Sequence, residues 1–385
     1  MDFPSVVWSL FAILSLLCLS NCDPLTKHEN AIRINTCGKS STTKVFQGRP
    51  SPQSEAPWSV FILYYKTSAG PITCTGTIIS PRHILTATHC FARMTKNGWL
   101  ETEGSEKSNC RNGHYILEDA NELKVMKFES NGRIIGKNPE RITLVNACLE
   151  KNVQPSESIM YVYEDFAIID LSDDVVSSPN VQMACVPKDT SGNTFFAQLE
   201  YYGFGIDPSN RIQNTGTLRH ETINILPPLP EFRNDALFLA RDPYGKTIAC
   251  SGDSGGGSVR KINGKTTIAG VLMQTSCAFP DRRNGTSAAE LYAAVGYYSQ
   301  VICKLAGVCE ASEYDKYHSG YVRKPKTRST TPITVITTIT EKSSTEPSKQ
   351  DNGDKEGMEG VSDSTGNSNQ HKDILVLLVI LIWFL

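Results

Sequence analysis

The sequence predicts an all-β protein that finishes in a helix, and three observations carry that prediction. From about Val45 to about Cys309 the chain is cut into short apolar or alternating runs, such as Trp58-Ser59-Val60-Phe61-Ile62-Leu63-Tyr64-Tyr65 and Thr266-Thr267-Ile268-Ala269-Gly270-Val271-Leu272. Gly, Pro, Asn and Asp break these runs often, as in a sandwich or a barrel of short strands. A late stretch, Leu291 to Leu305, is less strand-like and is expected to end in a helix.

The segments outside this core read differently. An apolar run, Val6 to Leu17, followed by short and polar residues reads as a secretory signal over residues 1–22, although Asp2 stands where a positive charge is usual. The alternative is an uncleaved anchor, for which the run falls short of the roughly 20 residues a spanning helix needs. Of twelve cysteines, Cys18 and Cys22 fall in the signal. Cleavage after Cys22 leaves an even set, as expected of disulfides formed in an oxidising compartment. Zinc suits the pattern less well, because no paired CxxC or His-x-x-x-His spacing occurs. With 38 Lys and Arg against 40 acidic residues and no basic block, nucleic acid is not an expected partner.

Past Cys309 the composition shifts, and Thr327 to Ser348 is dominated by Thr, Ser, Pro and Lys. Residues 310–373 are expected to be a disordered, O-glycosylated spacer, since such a segment buries too little apolar area to offset its chain entropy. The final run, Ile374 to Leu385, is too short to span: as a helix it reaches about 18 Å against roughly 30 Å of hydrocarbon. With small residues upstream (Ser362, Ser364, Gly366) and a polar spacer, it matches a glycolipid-anchor signal. A true anchor helix is the other reading.

Three separated elements carry chemistry. Ser80-Pro81-Arg82-His83-Ile84-Leu85-Thr86-Ala87-Thr88-His89-Cys90 places a histidine directly before a cysteine. Cys250-Ser251-Gly252-Asp253-Ser254-Gly255-Gly256-Gly257 sets a serine among glycines, whose permissive backbone lets amides point at an anion. Each such amide donor is worth about 3 to 4 kcal/mol to a developing oxyanion. Glu164-Asp165-Phe166-Ala167-Ile168-Ile169 brings an aspartate into an apolar strand, where a buried carboxylate demands a partner.

Taken in the order His89, Asp165, Ser254, these elements resemble the trypsin/chymotrypsin family, with its Thr-Ala-Ala-His-Cys and Gly-Asp-Ser-Gly-Gly motifs. The pattern is most similar to a divergent nematode branch. The resemblance covers roughly 270 of the 385 residues, from Cys37 to about Leu305, and includes Gly203-Phe204-Gly205 for Gly-Trp-Gly. It implies two packed antiparallel β-barrels with a C-terminal helix over residues 45–309, a propeptide over 23–44, and no cofactor or metal. It also implies a serine endopeptidase with His89, Asp165 and Ser254 as catalytic triad and Gly252 and Ser254 as oxyanion hole. Lys44-Val45-Phe46-Gln47-Gly48 resembles an activation site, with Val45 as the new amine and Asp253 as its partner. A protein or peptide substrate, an activating protease and protein inhibitors are the partners implied, with the membrane reached through the glycolipid.

The same resemblance pairs Cys74 with Cys90, Cys250 with Cys277, and Cys37 with Cys185. The stretch between His89 and Asp165 is about thirty residues longer than is usual, more a surface loop than a domain, with Cys110 paired to Cys148 inside it. The family offers no counterpart for Cys110, Cys148, Cys303 or Cys309. Met273 and Gln274 replace the family's Ser-Trp, so a non-catalytic binding protein on this fold stays as the alternative. In the specificity pocket Ile248 stands where trypsins have an aspartate, and Thr275 narrows the entrance. Glu290 either faces inward, to pair with a basic side chain or obstruct the slot, or turns to solvent. The expected preference is for small or apolar residues, with basic residues as the rival. Asn284-Gly285-Thr286 is a glycosylation sequon.

Overall fold

The computed structural model describes residues 23–322 apart from 40–51, 53, 66–69, 96–97, 101–108, 119, 121, 129–133, 138, 149–164, 176, 179, 207–216, 229–234, 276 and 278–288. The expected signal, Lys44, Val45, Asn284 and the chain beyond residue 322 lie outside the described residues.

Strands appear where the β-branched and aromatic runs sit, and they form two antiparallel units. The first holds β1 (Ser59–Tyr64), β2 (Ile72–Ser80), β3 (His83–Thr86), β4 (Arg93–Thr95), β5 (Gly98–Leu100), β6 (Cys110–Arg111), β7 (His114–Leu117), β8 (Leu123–Phe128), β9 (Ile134–Lys137), β10 (Pro139–Leu144) and β11 (Ala167–Leu171). Nine of these make one sheet in the order β6-β7-β10-β11-β3-β2-β1-β8-β9, with β4 and β5 as a separate hairpin. The sheet curls far enough for β10 to lie against β8. Its inner face is filled by Ile62, Ile78, Ile84, Leu123, Ile142 and Ile169, all at most 2% exposed.

The second unit is a closed barrel. It contains β12 (Gln198–Gly203), β13 (Arg219–Ile225), β14 (Leu237–Arg241), β15 (Gly257–Ile262), β16 (Lys265–Gln274) and β17 (Glu290–Ala294), in the order β12-β13-β14-β17-β16-β15. The chain thus forms the chymotrypsin-like pair of antiparallel units. The expected helix follows β17 and is α2, Ser299–Ala306; Gly307 ends it in the left-handed conformation at φ 65°.

Ordered structure also extends beyond both ends of the expected peptidase domain. Helix α1, Lys27–Thr36, starts with a capping box in which Thr26 and Glu29 satisfy each other's backbone amides. It packs on the C-terminal region: Leu25 N donates to Ala306 O, and Asn30 Nδ2 and Arg33 Nη2 both donate to Cys309 O. Helix α3, Tyr314–His318, falls inside the stretch that composition assigns to the spacer. Its Tyr314 is buried against the Cys303–Cys309 pair and donates to Leu25 O at 2.7 Å, so α3 rests on the disulfide and is tied to the N-terminal segment.

Five disulfides join Cys37 to Cys185, Cys74 to Cys90, Cys110 to Cys148, Cys250 to Cys277 and Cys303 to Cys309. The last pair, which the family pattern does not supply, closes the turn between α2 and α3.

Candidate active site

The backbone brings His89 and Asp165 together because β3 and β11 are antiparallel neighbours, with Ala167 opposite Thr86. His89 sits on a single 3-10 turn, Thr88–Cys90, just beyond β3, and Asp165 lies just before β11. The two side chains therefore meet at one sheet end, although 76 residues separate them. Asp165 Oδ1 accepts the His89 amide at 2.9 Å, and its Oδ2 lies 2.6 Å from His89 Nδ1. Burial pulls the imidazole pKa down, but the adjacent charge and hydrogen bond of Asp165 more than offset this and hold it above the usual histidine value. About a third of the His89 side chain stays exposed, which leaves the ring within reach of a substrate.

Ser254 lies in the turn between Cys250 and β15. Gly252, at φ 95°, takes a conformation that side chains resist. Amides of Cys250, Asp253, Gly255 and Gly256 all bond within the protein, to Asp253 Oδ2, Cys250 O, Leu272 O and Asp253 O. The amides of Gly252 and Ser254 donate to no acceptor among the described residues. Asp253 is buried, with Oδ1 accepting from Gly205 N at 2.8 Å and Oδ2 from Cys250 N at 2.7 Å. A Cβ on Gly203 or Gly205 would run into this carboxylate, which explains the glycines of Gly203-Phe204-Gly205. Burial raises the Asp253 pKa to about 7, against the opposing pull of those two amides.

One residue that sequence reasoning passed over ties the serine turn to the histidine. Thr75, fully buried on β2, donates its amide to Ser254 O at 2.8 Å and its hydroxyl to Gly252 O at 2.9 Å, while its Oγ1 accepts from Phe204 N at 3.0 Å. The preceding residue, Cys74, is bridged to Cys90, next to His89. A threonine in a strand buried on both faces needs such partners, and that was the available signal.

Met273 is buried and Gln274 exposed at the end of β16. In the pocket region Thr275 Oγ1 donates to Ala249 O at 2.5 Å, and Ile248 and Thr275 are half-buried. Glu290 faces inward at 1% exposure, so the solvent-facing alternative does not hold. Its Oε1 accepts from Ala249 N and its Oε2 from the Tyr292 hydroxyl, each at 2.6 Å. Beside it lies Glu221, a second buried acid that the sequence reading did not single out. Two Cys/His clusters, Cys74-His89-Cys90 and Cys303-Cys309-His318, have metal-like spacing, but their sulfurs are held in disulfides and offer no thiolate.

An antiparallel pair of β units, with a histidine and an aspartate on the first and a glycine-bounded serine turn on the second, defines the trypsin-like serine protease class. Within that class, this chain belongs to the nematode trypsin-6-like family, whose sequence profile matches residues 7–309. Curated relatives are more distant. Chymotrypsin-C of Bos taurus is 24% identical over 246 residues, covering 60% of this chain and 78% of its own length. The CLIP domain-containing serine protease B4 of Anopheles gambiae is 25% identical over 247 residues, or 61% of this chain and 64% of that protein. Urokinase-type plasminogen activator of Gallus gallus is 26% identical over 255 residues, or 62% and 53%. This chain therefore spans less than two thirds of the latter two proteins.

Proposed function

We propose that this protein is a serine endopeptidase that cleaves peptide bonds through an acyl-enzyme on Ser254. The observation that carries the reading is the hydrogen-bonded His89–Asp165 pair, tied through β2 to a turn whose Gly252 and Ser254 amides have no internal acceptor. Ser254 Oγ attacks the peptide carbonyl as its proton passes to His89 Nε2, and the negative oxygen is received by the two open amides. Asp165 fixes the ring through Nδ1 and stabilises its charged form. His89 then returns the proton to the leaving amine, and a water molecule, activated the same way, releases the acyl group.

The reading includes a secreted precursor cut after Lys44, with the freed Val45 ammonium entering beside Asp253. Support comes from Asp253 itself, a buried carboxylate for which no cationic group forms an ion pair among the described residues. Attachment to the cell surface through a glycolipid completes the reading; among the described residues no helix is long and apolar enough to cross a membrane. Because both oxygens of Glu290 are engaged by Ala249 and Tyr292, the pocket is expected to prefer small or apolar residues.

The test is labelling by a serine-directed fluorophosphonate after tryptic activation. Wild type is expected to label and Ser254→Ala not to label, with peptide cleavage falling by at least about 10⁴-fold in that variant. Lys44→Gln is expected to remain single-chain and unreactive. A protein that never labels is the non-catalytic binding protein instead. A peptide library read after activation checks the pocket: cleavage after Lys or Arg in preference to Ala or Leu overturns the specificity.

A further inference from the structure

The closed barrel encloses two carboxyl groups that the reaction does not use. Glu221 points inward from β13, 6% exposed, and neither of its oxygens accepts a well-formed hydrogen bond; the neighbouring Thr247 hydroxyl favours its charged form weakly but donates to Asp242 Oδ2. Its partner in hydrogen-bonding reach is Glu290 of β17. Glu290 already accepts two donors, from Ala249 N and the Tyr292 hydroxyl.

Among the described residues the surrounding elements place no cation in an ion pair with Glu221. From β12, opposite Glu221 in register, the Tyr201 hydroxyl is spent on Asp253 O. From the segment before the serine turn, Thr247 Oγ1 donates to Asp242 Oδ2 at 3.0 Å, and Asp242 also takes the amides of Tyr244, Lys246 and Thr247. Asp253 adds a further carboxylate, which feels the charge of Arg219 at the start of β13. Among the described residues no Lys, Arg or His forms an ion pair with Glu221 or Glu290. Two ionised carboxylates side by side in a buried interior repel and are poorly solvated, so a proton must compensate one of them. The hydrogen bonds say where it resides. Glu290 has two formed donors and is the carboxylate; Glu221 has only a Thr247 hydroxyl that is already bonded to Asp242, and is the acid that donates to Glu290.

The acceptor held in this way has a position in the nucleophile turn. Glu290 fixes the amide of Ala249, and the next amide, Cys250 N, is fixed by Asp253 Oδ2. Two consecutive amides are thus clamped by two buried acids, five and four residues before Ser254. We propose that Glu221 and Glu290 are positioning residues, an acid–carboxylate pair whose single proton keeps the Ala249–Ser254 turn in its working shape. When that proton is lost to solvent at alkaline pH, the two charges push apart and the turn loosens.

The kinetic half of this inference rests on the peptidase reading; the thermal half does not. The experiment uses the full-length, trypsin-activated protein, with Ser254 labelling rate and melting temperature both followed from pH 5 to pH 10. Glu221→Gln keeps the shape and a permanent neutral donor. It is expected to label within about twofold of wild type near pH 6, and to move the alkaline fall in rate upward by at least about one pH unit. It also flattens the loss of melting temperature with rising pH. Glu221→Leu, without a donor, lowers the rate across the range. An alkaline limb and a thermal slope that coincide in wild type and Glu221→Gln overturn the pair. If wild type never labels, the peptidase reading fails and the thermal comparison alone decides. Should Glu221→Gln not fold, Glu290→Gln leaves one acid and must flatten the thermal slope as well; an unchanged slope again overturns the proposal.

Discussion

The two β units treat buried charge in opposite ways. In the first, buried ionic groups meet partners of opposite sign: Arg82 reaches Glu29 and Asp174, Asp170 sits between Arg141 and His83, and Asp165 holds His89. In the closed barrel the partly exposed Glu200 meets the buried His220, but the deeply buried acids meet acids, with Glu221 beside Glu290 and Asp253 close by. Glu29 shows the first pattern: burial pushes its pKa up, but the hydrogen bonds and charge of Arg82 and the bonds from Thr26 bring it down to about 2. Glu221 shows the second, with burial first and then Glu290 and Asp253 holding it well above the carboxylate range. A unit with opposite charges loses stability when one partner is removed. A unit with like charges loses it when a proton is removed.

Substitutions can break this comparison, and the largest effect is expected in the first unit. Asp170→Leu leaves Arg141 and the buried His83 without their carboxylate and should cost about 3 kcal/mol in urea unfolding. A cost below about 1 kcal/mol would mean that the charges are solvated after all. Next comes pH. Glu221, Asp253 and Asp170, the last raised to about 6 chiefly by burial, have folded pKa values above their unfolded ones. Their contribution is fully present below the unfolded carboxylate value and is lost as pH rises. Between pH 5 and pH 7 the uncleaved protein should lose up to roughly 1.4 kcal/mol per pH unit for each such group still titrating. Melting temperature in that window reads the slope, and a rise with pH contradicts it.

Thr75→Val tests the seam between the units. It removes the hydroxyl bonds to Gly252 O and from Phe204 N, and should cost about 1 to 2 kcal/mol and slow Ser254 labelling. At the small end, Lys27 and Asp315 pair at 2.5 Å with both side chains more than half exposed. Lys27→Ala should change stability by less than about 0.5 kcal/mol, a near-silent reference for the buried pairs.

The His89–Asp165 pair and the glycine-bounded serine turn were legible because each part is a local motif: a histidine before a cysteine, an aspartate at a strand start, a serine among glycines. The acid pair was not, since Glu221 and Glu290 lie on strands that become barrel neighbours of β14 only after folding. A clue was nevertheless present. Glu221 shares strand parity with Ile223 and Ile225, both at most 2% exposed, so alternation alone assigns it to the inner face. The N-terminal segment was under-read for a different reason. Thr26 and Glu29 have capping-box spacing, a local helix signal that assignment to a propeptide does not use.

That segment changes what a cut between Gly38 and Pro52 would produce. The piece ahead of the cut is knotted to the rest by Cys37–Cys185, by Gly38 bonding to Met183 and Thr266, and by Leu25 buried under α3. Nicked protein would travel through a sizing column as one particle. It would show two bands on a gel only after reduction. Reductant alone would not shed the smaller chain from the native molecule, because helix α1 remains wedged against Ala306 and Cys309 and comes away only when that end of the fold melts.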